Sequence, residues 1–192
     1  MTRDKGPGCA AVITRRAFQK EASMKTDAKW LSRALCVVAA LAAGAVRGQE
    51  ATYAVKMMTP ETALKAAQAA LKKCRDDGFQ VTVAVVDRSG VTQVVLRDRF
   101  AGPHTVRMAV DKAWTAVSFR TSTAELAKMT QAGSAQSGIR NRPRVAAVAG
   151  GLMIESGGAL VGGIGVSGAP GGDRDDACAT AGIDAIREGL EF

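Results

Sequence analysis

The fold of this chain is decided by residues 144–186, which read RVAAVAGGLMIESGGALVGGIGVSGAPGGDRDDACATAGIDAI. Leu152 and Ile154 occupy alternate positions, as in a strand with one buried face. Residues 156–158 (SGG) supply the backbone freedom that a tight turn needs, and apolar residues then resume up to Val166. Because a tight hairpin pairs its strands antiparallel, this stretch predicts part of an antiparallel sheet.

A glycine-rich corner and a helix are predicted after the hairpin. The run GAPGG at residues 168–172 ends the strand, and Asp173 is predicted as the N-cap of a helix that extends to Ile186. Asp175 and Asp176 place negative charge in the first turn, where the helix dipole stabilises it. We therefore assign these three carboxylates to the helix terminus rather than to a bound Ca²⁺.

The chain before this stretch also contains helix and strand patterns. Turn signals, capping residues and periodic apolar positions predict two strands and three helices, at residues 80–87, 91–97, 59–77, 103–119 and 122–129. Residues 145–148 are a candidate further strand. The order of these elements predicts an α+β domain with helices packed on an antiparallel sheet.

The positive charge of the chain is concentrated in its first part. Residues 1–45 contain eight Lys or Arg and three Asp or Glu, whereas residues 46–192 contain 18 and 15. Most of the excess positive charge therefore belongs to a leader rather than to the domain that follows it. For this reason we expect no nucleic-acid partner.

The leader has the pattern of a secretory signal peptide. Basic residues precede an apolar stretch at residues 34–46, and Ala43, Gly44 and Ala45 have the form that a signal peptidase accepts. Such a short stretch is typical of a signal peptide and not of a membrane span, so we expect no stable membrane insertion after cleavage. An uncleaved short anchor is the alternative. Met24 is the expected start.

The chain is therefore divided into three predicted parts. Residues 1–45 form the leader, 46–57 a flexible mature N-terminus and 58–192 the domain. We expect the mature protein to be exported, either to the periplasm or out of the cell.

Two cysteines remain once the leader is removed. Cys74 and Cys178 each lie in a predicted helix, and an oxidising compartment would allow them to pair. The alternative is a pair of buried thiols that pack as small apolar side chains. The sequence leaves both arrangements open.

Two glycine motifs resemble a dinucleotide-binding site and a hydrolase nucleophile elbow, but the residues around them fit neither site. Residues 163–168 match G-x-G-x-x-G, but the predicted helix starts later and its first turn carries carboxylates that would repel a phosphate. Residues 165–169 resemble a nucleophile elbow without its final glycine. With one histidine and two separated cysteines, no metal-binding spacing is present in the sequence.

His104 is the candidate ligand-binding residue. It follows Pro103 at the start of a predicted helix, with Met108 one turn further along the same side. The site also includes three cationic side chains that lie close in sequence: Arg97, Arg99 and Arg107. An imidazole beside apolar and cationic groups suits an axial haem ligand, with the arginines pairing the propionates. The alternative is a histidine that only caps or packs locally.

Five short motifs together resemble the GlcG/HbpS family of haem-binding proteins. They are DRSG at residues 87–90, KAWTA at 112–116, GGLMI at 150–154, LVGGIGVSG at 160–168 and ACATAGI at 177–183. The resemblance extends over about residues 58–190. It implies a profilin-like fold, an antiparallel five-stranded sheet flanked by helices.

The resemblance also implies a function. Family members include secreted haem-binding proteins that form homo-oligomers, a domain of a cobalamin-pathway protein, and accessory proteins of glycolate metabolism. Some members use a histidine of the first helix as axial ligand, but residues 59–77 contain none here. His104 is then the imidazole left for haem iron, and a hydroxyl such as Thr105 or Thr115 is the alternative ligand.

Three functional interpretations follow. The first is an exported, non-catalytic haem-binding protein that sequesters or senses haem. The second is an accessory protein or enzyme of small carboxylic acid metabolism, in which the arginines bind the acid and His104 acts as general base. The third is a structural homo-oligomer or the partner of a sensor protein.

Overall fold

The computed structural model of the chain describes residues 51–190. Its helices and strands follow in the order α1 (Pro60–Asp76), β1 (Thr82–Asp87), β2 (Thr92–Arg97), α2 (His104–Phe119), α3 (Thr123–Met129), β3 (Gly151–Ser156), β4 (Ala159–Ser167) and α4 (Gly172–Asp184). Two short 3₁₀ helices, Ser137–Asn141 and Arg187–Leu190, complete the secondary structure of this part. The leader and its signal peptide lie outside the described residues and stay predictions.

Side-chain caps explain where two of the helices begin. The Thr59 hydroxyl accepts a hydrogen bond from the Thr62 amide at 3.3 Å, directly before α1. The Ser122 hydroxyl accepts one from the Glu125 amide at 3.1 Å, directly before α3. Each hydroxyl satisfies an amide that has no partner inside its helix, so both predicted starts are confirmed.

The predicted cap of the last helix is wrong. Helix α4 begins at Gly172 with Gly171 as its N-cap, so Asp173 lies inside the first turn. The carboxylates of this turn bind amides outside the helix: Asp175 accepts from Ala169 at 3.1 Å, and Asp176 from Gly150 at 2.6 Å. The chain can enter the helix without a capping side chain because these groups tie its first turn to the preceding loops.

The four strands form one antiparallel sheet in the order β2-β1-β4-β3. Helices α1 and α4 cover one face, where the larger core contains Val83, Val85 and Ile164. Helix α2 covers the other face, where Val86 packs with Val117. The predicted α+β class and both hairpins are thus confirmed, in one compact unit that spans Ala54–Phe192.

The sheet of the described residues has four strands rather than the five that the resemblance implied. Residues 145–148 form no strand. The Ala146 amide donates to the Thr115 hydroxyl at 3.0 Å, and that hydroxyl donates to the Arg144 carbonyl at 3.2 Å. Because this segment binds a side chain of α2, these backbone groups do not join the ladder of the sheet.

Glycines in β4 allow α2 to approach the sheet closely. A Cβ on Gly165 would lie 2.0 Å from the Ala109 carbonyl oxygen, and one on Gly163 would lie 2.7 Å from a Val117 methyl group. A larger residue at either position would push the helix away from the strand. Gly163 and Gly165 of the G-x-G-x-x-G match therefore serve helix–sheet packing and do not open a helix, and Gly168 is close to the backbone of residues 80–81.

A buried ion pair joins α2, β4 and α4. The Lys112 ammonium lies 2.7 Å from an Asp175 carboxylate oxygen and donates to the Val166 carbonyl at 2.8 Å. The two charged side chains are 3% and 5% exposed. Burial raises the pKa of Asp175, and the neighbouring ammonium opposes that shift. Gly150 is required beside the pair, because its Cβ would lie 2.6 Å from the Lys112 nitrogen.

A disulfide joins the two remaining cysteines inside the larger core. Cys74 of α1 and Cys178 of α4 are fully buried, with Cα atoms 5.5 Å apart and a sequence separation of 104. This is the first of the two arrangements that the sequence leaves open. The bond fixes the two helices that cover the same face of the sheet.

The connection from β2 to α2 is held at its beginning by Asp98. Its carboxylate, 3% exposed, accepts two hydrogen bonds from the Arg75 guanidinium, at 2.7 and 3.0 Å. Its amide donates to the Val81 carbonyl at 2.9 Å, and its carbonyl accepts from the buried Ala101 at 3.1 Å. The hydrogen bond from Arg75 lowers the pKa of Asp98.

The same connection is held at its end by Thr105. The Thr105 hydroxyl donates to the Gly102 carbonyl at 2.6 Å and is hydrogen-bonded to the Thr82 hydroxyl of β1 at 2.7 Å. These hydrogen bonds tie both ends of the connection to the fold, while most of the residues between them are exposed.

Replacing Lys112 with Met is expected to lower the free energy of unfolding by about 3–5 kcal/mol, because it leaves a buried carboxylate unpaired. Combining it with Asp175→Leu should recover part of that loss. Urea unfolding measures both. The exposed pair formed by Lys72 and Asp76 is the control, since Lys72→Met should change stability by less than about 1 kcal/mol. An equally small effect of Lys112→Met would contradict the role of the buried pair.

Replacing Asp98 with Asn is expected to destabilise the protein most near neutral pH. A carboxyl whose pKa is lowered by folding adds stability above its unfolded pKa of about 4, and this contribution is lost as the pH falls through the folded pKa. Urea unfolding between neutral pH and about pH 3 should show the difference from wild type shrinking. Asp76→Asn, at an exposed site, is the control. A difference that does not depend on pH would argue against the ion pair.

Candidate functional site

His104, the only histidine of the chain, is the first residue of α2 and is exposed. Its ring lies over Gly102, where a Cβ would be 2.6 Å from Cε1 and 2.9 Å from Nδ1. The same point is 3.7 Å from Nε2, so Nε2 is the ring nitrogen farther from the loop backbone. A neutral imidazole binds a metal through one nitrogen, and this geometry favours Nε2.

The three arginines of the predicted site are exposed but differ in their partners. Arg97, at the end of β2, donates through Nη2 to the Ala101 carbonyl. Arg107 donates to Asp111, one turn further along α2, at 2.9 Å. In the part of the chain that the structure describes, the Arg99 guanidinium has no hydrogen-bond partner. Arg99 is therefore the arginine whose donors are open to a ligand.

The remaining predicted residues differ in accessibility. Met108 is 37% exposed and lies one turn after His104 on α2. Thr105 is 1% exposed, and its hydroxyl is used by the anchor described above. Thr115 is fully buried and bonded to the segment that follows Arg144. The structure thus brings His104 and Met108 to the surface beside the loop, while both threonine hydroxyls serve the fold.

A second charged surface lies beside Trp114 of the KAWTA motif and is formed by residues outside that motif. The Arg144 guanidinium lies over the Trp114 ring, 4.5 Å from its centroid, and its Nε is 3.4 Å from Asp111. On the same indole, Cδ1 would lie 2.8 Å from a Cβ on Gly90. Asp111 therefore links Arg107 to Arg144, and part of the positive charge near His104 is balanced within the fold.

One exposed residue was missed by the sequence reasoning. Phe100 lies in the loop between β2 and α2 and is 80% exposed. An aromatic residue inside an otherwise polar loop was the available signal, since such loops rarely gain from an apolar side chain. The paired Arg75 and Asp98 gave no local signal because they are 23 residues apart.

Other candidate sites find no support in the described residues. Residues 51–190 hold no group of three His, Cys, Asp or Glu placed to bind a metal, and no helix long and apolar enough to span a membrane. Cavities of about 420 and 200 Å³ lie near Arg140 and near Arg187. Neither of these two cavities is lined by His104, whose side chain is exposed.

Known structures share this fold. A double mutant of Streptomyces reticuli HbpS is 45% identical, with a TM-score of 0.66 over 74% of this chain and 94% of that chain. A structure described as a PduOC–heme complex is 30% identical, with a TM-score of 0.65 over 68% of this chain and 96% of that one.

A curated relative matches over part of its length. The corrinoid adenosyltransferase PduO of Salmonella typhimurium is 34% identical over 103 residues, which is 53% of this chain and 31% of that protein. Residues 58–184 match the family described as "Haem degrading protein HbpS-like". The resemblance inferred from the five motifs is thereby confirmed, and the chain belongs to the HbpS-like family.

Proposed function

We propose that this chain binds haem and does not turn it over, with His104 as the axial ligand of the iron. Membership of the HbpS-like family and the likeness to a PduOC–heme complex support haem as the ligand. The matched family is described as haem degrading, so turnover of haem is the alternative that the experiment with a reductant and oxygen tests. The observation that carries the assignment of the ligand is the position of the only imidazole of the chain, exposed at the start of α2 beside a fixed loop.

The residues at this surface suit the chemistry of haem. Haem supplies an iron that accepts a nitrogen ligand, an apolar ring and two carboxylates. His104 offers Nε2, Met108 offers an exposed thioether side chain, and Arg99 offers guanidinium donors. Arg97 and Arg107 lie nearby and keep donors beyond those already used, because each guanidinium carries five N–H groups.

Export and assembly belong to the same proposal. The signal-like leader and the disulfide between Cys74 and Cys178 support an oxidising compartment, either the periplasm or the exterior. There the protein would sequester haem or present it to a sensor. We also propose a homo-oligomer, because an exposed imidazole leaves the second face of the ring to be covered by another chain.

A corrinoid is the second candidate ligand. The match to a corrinoid adenosyltransferase favours it, and a corrinoid is also a metal-bearing macrocycle that an imidazole can coordinate. Hydroxocobalamin should then compete with hemin for the same protein.

Purified protein titrated with hemin should give a shifted Soret band that saturates at one hemin per chain. His104→Ala should weaken binding by about tenfold or more, and added imidazole should restore the shifted band because it replaces the missing ligand. Met129→Ala is a matched control, since Met129 is 42% exposed on α3 and lies outside the site. A bound Soret band that persists with a reductant and oxygen present supports binding without turnover.

The proposal is contradicted if wild type gives no Soret shift. The assignment of His104 as the axial ligand is contradicted if His104→Ala binds hemin with the same affinity as wild type. Stabilisation by glycolate but not by hemin, read from thermal unfolding, would instead favour a role in small carboxylic acid metabolism.

A further inference from the structure

We infer that Phe100 and Arg99 form a rigid tip, residues 99–100, that contacts the ring face and a carboxylate of a porphyrin. This inference rests on the proposed function and adds to it the residues that recognise the ring independently of the metal. Phe100 would stack on the macrocycle, and Arg99 would bind a propionate.

The exposure of Phe100 is the first observation. Its side chain is 80% exposed and belongs to neither apolar core of the described residues. Burying a phenylalanine is worth about 1.5–3 kcal/mol, so this side chain contributes little to the fold and has most of that free energy left for a partner. A planar apolar ring is a suitable partner, because aromatic rings stack with an offset.

The rigidity of the loop is the second observation. Asp98 is held by two hydrogen bonds from Arg75 and by its own amide on Val81. Ala101, directly after the tip, is 2% exposed, and its carbonyl accepts from Arg97. The two residues between these anchors are therefore flanked by bonded backbone on both sides, which reduces the ordering cost of binding.

The charge at the tip is the third observation. The Arg99 amide donates to Asp98 at 3.0 Å, but its guanidinium has no hydrogen-bond partner among residues 51–190. By contrast, the guanidiniums of Arg97 and Arg107 are each bonded within the fold. After the hydrogen bond from Arg75, the Arg99 charge also lowers the pKa of Asp98, but the Arg99 guanidinium donors carry no hydrogen bond in the described residues. Open donors next to an exposed aromatic ring match a ligand that is both planar and acidic. His104 follows four residues after Phe100, so the three exposed groups belong to one short segment of the loop and helix start.

Protoporphyrin IX, which lacks iron, separates ring recognition from iron coordination. Phe100→Ala should weaken binding of both hemin and protoporphyrin IX about tenfold, whereas His104→Ala should weaken hemin binding and leave protoporphyrin IX binding unchanged. Arg99→Gln should weaken both ligands and reduce the dependence of binding on salt. Fluorescence of protoporphyrin IX and the Soret band of hemin provide the readouts.

Phe119→Ala is the matched control, at the far end of α2, about 22 Å along the helix from His104. It should leave both affinities within about twofold of wild type. Thermal unfolding of Phe100→Ala without ligand should match wild type, which separates a binding role from a structural one.

Hemin binding that depends on His104 but not on Phe100 would overturn this inference and leave the proposed function intact. Loss of self-association in Phe100→Ala, with porphyrin affinity unchanged, would overturn it in favour of a contact between copies. Failure of wild type to bind either porphyrin would instead count against the proposed function.

Discussion

The ion pair between Lys112 and Asp175 determines how the layers of this domain fit together. Helices α2 and α4 cover opposite faces of the sheet, and the pair connects them at the end of β4 through the Val166 carbonyl. A charge at such a depth is tolerated only when it is paired and hydrogen-bonded. The surrounding backbone has to be glycine at Gly150 and Gly165, because a side chain at either would displace the ammonium or the helix. The family motifs KAWTA and GIGVSG thus describe one structural junction rather than two separate sites.

Most of the fold was predictable because its signals are local. Thr59 and Ser122 mark helix starts, and the paired glycines 157 and 158 fix a hairpin. The errors lie where distant residues compete with local ones. Residues 145–148 have strand-like composition, but the Thr115 side chain takes the backbone groups that a strand would need. Asp173 is a good cap by type, yet tertiary bonds of the next carboxylates anchor the turn without it.

The candidate site was predictable only in part. The position of His104 at a helix start follows from the sequence, and the structure leaves its ring exposed. The sequence could not predict which arginine keeps its guanidinium free of hydrogen bonds, because this depends on the folded chain. Arg97 donates to the carbonyl of Ala101, and Arg107 donates to Asp111. The conformation of the loop also depends on the ion pair between Arg75 and Asp98. These residues are 23 positions apart, so no local sequence pattern indicates that they are paired. The candidate site is therefore built on a connection that is hydrogen-bonded at both of its ends.

The disulfide has a consequence for degradation. The chain between Cys74 and Cys178 includes an exposed basic segment in which Arg144 is exposed and is followed by Val145. A trypsin-like protease that cut after such a residue would produce two fragments still joined through their sulfurs. Both sides of the larger core would stay together after the cut, since α1 and α4 lie on either side of it in sequence. Outside the cell, where reductants are scarce, a single nick would thus leave the molecule assembled.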